Sequence, residues 1–199
     1  MEMLSKLRWF IVGFVVLIVV ILLGWGLISI ARGLFNSSSS GDTALQNSDD
    51  IVINSIETAR FTVSGPIVAT EEHRSYTVEV NDRIVTITLY SDYGQKQIAR
   101  RSYPNNDAAF QEFMEALDKA EVLQRRSGTD SEDDFDYEGA CPTGRRYIIQ
   151  LNDDVTRWSS SCSNALGTAG GSVRTIRRLF NEQVPDISDV LKGTRLYIN

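Results

Sequence analysis

"HRSYTVEVNDRIVTITLYSDYGQKQIARRSY", His73 to Tyr103, is the stretch on which the fold turns. Tyr76, Val78 and Val80 recur at every second position, the period that sets side chains on one face of a strand. "NDR" turns the chain, and "IVTITLY" (Ile84–Tyr90) places Val85, Ile87 and Leu89 opposite Ile84, Thr86, Thr88 and Tyr90. "SDYGQ" turns it again, and "KQIARRSY" supplies a further strand over Lys96–Tyr103. Links this short serve antiparallel neighbours, because a parallel crossover needs about a dozen residues or more. Upstream, "ARFTVSGPIVA" (Ala59–Ala69) alternates Phe61 and Val63 until Gly65-Pro66 interrupts it. The reading is an antiparallel meander with one apolar face.

Beyond Tyr103 the period lengthens. In "PNNDAAFQEFMEALDKAEVLQRR" (Pro104–Arg126), Phe110, Phe113, Met114, Leu117 and Leu123 gather on one side of a helix. Asn106 is placed to cap it, with Asp107 in its first turn. A sheet with one apolar face needs such a cover. A second helix is expected from Ser172 as cap, with Val173, Ile176 and Phe180 on one side and an end enforced near Pro185. "DISDVLKG" adds a short helical turn, and "TRLYIN" a terminal strand. Gly167, Gly170 and Gly171 precede the second helix, yet Ser172-Val173 stands where a phosphate loop requires Lys and a hydroxyl, so they read as turn glycines.

Both cysteines lie in "CPTGRRYIIQLNDDVTRWSSSC", Cys141 to Cys162. Folding "RRYIIQL" back on "VTRWSSS" about "NDD" brings the two to the open end of a hairpin. Two thiols fall short of a four-ligand zinc site, Cys-x-x-Cys is absent, and the single histidine, His73, is remote in sequence. A structural disulfide between Cys141 and Cys162 is the expectation, provided the domain meets an oxidising compartment.

That compartment is read from the other end. Trp9 to Ala31 runs twenty-three residues without a charge, about 34 Å of helix at 1.5 Å per residue and enough to cross a bilayer. Ser29-Ile30-Ala31 has the small-residue spacing of a signal cleavage site, but the apolar run exceeds the 7–15 residues of a signal core. Residues 1–8 are therefore expected in the cytoplasm, 9–31 as an uncleaved transmembrane helix, 32–50 as a flexible linker and 51–199 as an extracytoplasmic α+β domain. Lys6 and Arg8 before the span, against Arg32 after it, set that orientation. The expected fold is thus an N-terminal transmembrane helix followed by an antiparallel sheet with two or three packed helices.

The net charge is −6, distributed unevenly. Twenty acids face nine Lys or Arg between Asp42 and Glu138; from Gly139 onward five acids face eight. Arg174, Arg177 and Arg178 form a basic edge on the second helix and Arg145-Arg146 another in the hairpin. An acidic domain without interleaved aromatics argues against nucleic acid, so these arginines are read as an interaction surface for acids of this chain or of a protein partner. "SGTDSEDDFDYEG" alternates acids from Asp130 to Glu138 but puts Phe135 where a calcium loop needs glycine, and it reads as a solvated acidic loop. Glu71, Glu72 and His73 are the acid/base candidates, with Asp153 and Asp154 a second pair. Consecutive residues on a strand point in opposite directions, so neither group has a catalytic geometry in sequence. No catalytic residue, metal or cofactor is assigned.

"SGPIVATEEHRSYTV" (Ser64–Val78), "CPTGRRYIIQL" (Cys141–Leu151) and "LFNEQVPDI" (Leu179–Ile187) resemble a group of small, single-span surface proteins of Saccharibacteria-like bacteria with reduced genomes. The resemblance covers most of 51–199 and implies a bacterial cell-surface protein; it brings no activity and no catalytic residue. The functional expectation is a membrane-tethered extracytoplasmic structural or protein-binding module, held in the lipid bilayer by Trp9 to Ala31, within an envelope assembly. The alternative is a surface hydrolase. Nothing in the sequence points to a homo-oligomer.

Overall fold

The computed structural model describes residues 53–129, 136–153 and 155–196. The chain divides into two units, Met1–Asp49 and Asp50–Asn199, and every described residue belongs to the second. The expected span at 9–31 and linker at 32–50 lie outside the described residues, as do most of the acidic loop, Asp154 and the last three residues of "TRLYIN". Among the described residues no helix is long and apolar enough to cross a membrane.

Six strands form one sheet: β1 (Thr58–Ser64), β2 (Arg74–Asn81), β3 (Ile84–Ser91), β4 (Lys96–Pro104), β5 (Arg146–Leu151) and β6 (Val155–Ser160). Their order is β4-β3-β2-β1-β5-β6, and every neighbouring pair is antiparallel. Three helices accompany them: α1 (Asp107–Lys119), α2 (Val173–Glu182) and α3 (Ile187–Val190). This is the expected α+β architecture. The meander supplies four strands, and the later hairpin pairs onto β1, the side the meander leaves free.

Register explains why. Ile149 of β5 pairs with Phe61, Phe61 with Val78, and Val78 with Ile87, so four side chains, each at most 1% exposed, form one apolar row across the sheet. Tyr147, Val63, Tyr76 and Leu89 make the next row. Onto this face pack Phe110, Phe113, Met114 and Leu117 of α1 and Ile176 and Phe180 of α2. The Phe180 ring stacks on Phe61 with centroids 5.2 Å apart and meets Phe113 edge-on at 5.1 Å, binding β1, α1 and α2 into one contact. Burial of each such side chain contributes about 1.5–3 kcal/mol. The Tyr76 hydroxyl donates to Asn181 Oδ1 at 3.1 Å, and burial pushes that phenol up to about 12.

Both helix caps form as read. Asn106 accepts from the Ala109 N–H at 3.0 Å, and Ser172 accepts from the Thr175 N–H at 3.4 Å. The glycines before α2 hold no phosphate cradle. Gly170 N–H donates to the Gln124 carbonyl and Ser172 N–H to the Ala120 carbonyl, while a Cβ on Gly171 would collide with the Ala120 and Glu121 carbonyls. Close packing is what requires glycine there.

Cys141 and Cys162 are joined, with Cα atoms 5.5 Å apart, at the open end of the β5–β6 hairpin. A Cβ at neighbouring Gly144 would strike Cys141 Sγ and Ser161 Oγ, so the tie needs glycine beside it.

The other face of the sheet is shielded too. Thr86 and Thr88, on the side opposite Val85, Ile87 and Leu89, are only 6% and 7% exposed. Their cross-strand neighbours are long or hydroxylated. Thr88 sits between Thr77 and Arg100, and Thr86 between Glu79 and Ser102. Hydroxyls satisfy one another there: Thr62 and Thr77 lie 2.9 Å apart, Thr86 and Ser102 3.2 Å.

Candidate binding groove on the polar sheet face

Two cavities indent the hydroxyl-rich face, and neither is lined by a residue of α1, α2 or α3. One, of about 670 Å³, lies where β1 runs into Gly65; Ser64, Ser75, His73, Tyr93, Glu138 and Arg146 border it. The other, of about 410 Å³, continues toward β4 between Arg60, Glu79, Thr88, Gln97 and Arg100. Thr62, Thr77 and Tyr90 border both, which makes them one groove across the strands. Each volume falls in the range of about 300–1,000 Å³ typical of ligand pockets.

Strand pairing builds the larger end. Ser64 of β1 is in register with Ser75 of β2 on one side and with Arg146 of β5 on the other. Arg146 is 8% exposed; its Nη2 donates to Ser64 Oγ at 2.8 Å and to the Gly65 carbonyl at 3.4 Å, and its Nε is buried without an acceptor. Among the described residues no carboxylate stands within ion-pairing distance of it. Burial lowers its pKa, against which Tyr93, Tyr137 and Glu138 act weakly. A guanidinium kept this dry without a counter-ion is costly, unlike the Arg60–Glu79 pair at 3.0 Å further along the groove.

His73 stands just before β2, 2% exposed, its ring stacked on Tyr93 with centroids 3.9 Å apart. Tyr93 is held at φ 55° between Asp92 at 54° and Gly94 at 88°. That is a left-handed run an aromatic residue seldom adopts, and such backbone gathers at functional sites. Its hydroxyl donates to the Val68 carbonyl at 2.5 Å and accepts from the Val68 N–H at 3.0 Å, which fixes the ring. His73 Nε2 lies 3.3 Å from Ser64 Oγ, within the reach of a nucleophile–base pair. Among the described residues no carboxylate completes a triad: His73 Nδ1 is buried with no partner to orient the ring. Burial first, then Arg146 and Arg74, hold the imidazole below its ordinary pKa, leaving it neutral at neutral pH.

The residues singled out in the sequence disperse. Glu71 and Glu72 do not join His73; they are exposed and border a separate cavity of about 310 Å³ with Arg74, Thr194 and Arg195. Arg74 Nη1 instead bonds the Glu71 and His73 carbonyls, at 2.6 and 2.7 Å. Asp153 sits at the β5–β6 turn, at the end of the sheet away from His73. The basic edge on α2 is partly spent within the domain: Arg178 bonds Glu182 at 2.7 Å, and Arg177 lies 5.9 Å from the centre of the Tyr147 ring. Only Arg174 of the three is exposed and without a partner among the described residues. No group of three or more His, Cys, Asp or Glu able to hold a metal occurs among the described residues. Sequence reasoning missed Ser64, Tyr93 and the groove hydroxyls, and it saw Arg146 only as surface charge. For the hydroxyls the sequence signal is the polar set of alternate positions in β1 and β2, which gains meaning only once the two strands are paired.

The chain matches no protein-family model, and neither curated proteins nor solved structures give a match.

Proposed function

We propose that this chain is a membrane-tethered extracytoplasmic binding module of the cell envelope, with the groove on the sheet's polar face as its recognition surface. The groove carries the reading: a trough floored by hydroxyls and lined by no residue of α1, α2 or α3, in a domain whose apolar face packs against α1 and α2. The apolar run Trp9–Ala31 and the closed Cys141–Cys162 pair support placement on the oxidising side of a membrane. The Ser64–His73 contact favours a hydrolase as the second reading. Binding is preferred because the imidazole has no orienting acid and Arg146 donates into the serine oxygen, which weakens it as a nucleophile.

Four measurements test this. Protease added to intact cells stripped of outer layers is expected to degrade the large domain, and the two cysteines are expected to resist alkylation until reduced. Full-length protein in nanodiscs is expected to stay on isolated envelope fragments, and a groove-filling Thr77→Trp is expected to release it while Arg174→Gln does not. A protected domain with free thiols overturns the placement, and retention indifferent to Thr77→Trp overturns the groove. Turnover of an ester probe that vanishes with Ser64→Ala makes the chain a hydrolase instead.

A further inference from the structure

We infer that the groove takes an acidic glycan, a chain of pyranose rings bearing carboxylates, with Arg146 holding a carboxylate at its larger end; this rests on the binding-module reading and names its ligand. Three features point to it. First, the charge is complementary. Three arginines and two glutamates border the groove, Arg60 and Glu79 neutralise one another, and Arg146 and Arg100 are left without an ion pair among the described residues, with Glu138 the remaining acid. A net positive trough in a chain of net charge −6 selects an anion. Second, the floor is built of hydroxyls: Ser64, Thr62, Ser75, Thr77 and Thr88 come from three adjacent strands at matched register. Each hydroxyl both donates and accepts, which suits a polyol, while Ile67 and Ile148 add apolar contact at the larger end. Third, Tyr90 and Tyr93 present ring edges or faces along the trough, flat apolar surface of the kind a pyranose ring covers. A flexible polyol phosphate has no such ring.

The guanidinium sets the geometry. Nη2 is committed to Ser64 and Gly65 and Nε is shut in, so Arg146 meets one carboxylate oxygen rather than gripping both in a fork. The neutral His73 adds no charge. Selectivity for the anion then rests on Arg146, and affinity along the chain on the hydroxyl floor and Arg100.

The test is calorimetric titration of the full-length protein in nanodiscs with tetragalacturonate, its tetramethyl ester, a glycerol phosphate tetramer and tetraglutamate. Saturable binding of tetragalacturonate is expected, weakened about tenfold or more by methyl esterification and by Arg146→Gln. Thr77→Val and Arg100→Gln are expected to weaken it several-fold, and Arg174→Gln to leave it unchanged. Should Arg146→Gln unfold the domain, the ester and these two variants carry the decision. Equal binding of the ester, preference for glycerol phosphate or tetraglutamate, absence of saturable binding, or indifference to Thr77→Val and Arg100→Gln each overturn the inference. Groove-dependent retention on envelope fragments that persists alongside such a result leaves the module reading standing and refutes only the ligand.

Discussion

His73 is the chain's single histidine, and its surroundings make it a reporter of acid stability. Its pKa in the folded domain is lowered, by burial and then by Arg146 and Arg74. The unfolded chain therefore binds a proton at a pH where the folded domain does not. Stability from this group is complete above about pH 6.5, the unfolded value, and is lost as pH falls through the folded value. Urea midpoints followed from about pH 8 down to about pH 5 are expected to decline in the parent protein and to decline less in His73→Gln, which cannot titrate. Equal slopes would show that the ring charges as freely in the fold as outside it. In sequence His73 reads as one of three consecutive polar residues, because Glu71 and Glu72 adjoin it. Its true neighbours, Ser64 and Tyr93, stand nine residues before and twenty after, and a two-strand pairing and a left-handed turn were needed to assemble them.

The β5–β6 hairpin was legible almost to its ends, since the alternation and the "NDD" turn are local signals. Its position was not. Nothing near Arg146 announces that β5 lies beside β1, whose paired residue Ser64 is eighty-two positions earlier. The same limit hid the groove, which is made of side chains from both halves of the sheet. Within the hairpin, closure of the Cys141–Cys162 loop removes freedom from the unfolded chain. Replacing both cysteines by alanine is expected to lower unfolding free energy by about 3 kcal/mol, read from chemical denaturation under non-reducing conditions. A loss near zero would mean that strand pairing alone closes the hairpin. The helices were easier to read, because Asn106 and Ser172 declare their starts and Pro185 forces an end. β4, at the sheet edge, is exposed along most of its length and carries Lys96, Arg100 and Arg101; these charges discourage another strand from adding there.

The domain is joined through its aromatic centre. Phe180 is completely buried and touches rings from β1 and α1, so Phe180→Ala is expected to cost about 3–5 kcal/mol, whereas the exposed Arg174→Ala should stay within about 0.5 kcal/mol. Denaturant titration of the two variants decides it, and similar small losses would show that the helices are only loosely seated. Hydrophobic period alone assigned this α+β layering, because one buried face leaves a sheet few ways to be covered. The polar face carries no such instruction, and its shape emerged only with the strand order. One covalent detail reaches across both. Tyr137, Glu138 and Gly139, which form one bank of the trough, lie within four residues of Cys141. The disulfide thus anchors that bank of the trough as well as the open end of the hairpin, so one covalent bond braces both faces of the sheet's β5–β6 side.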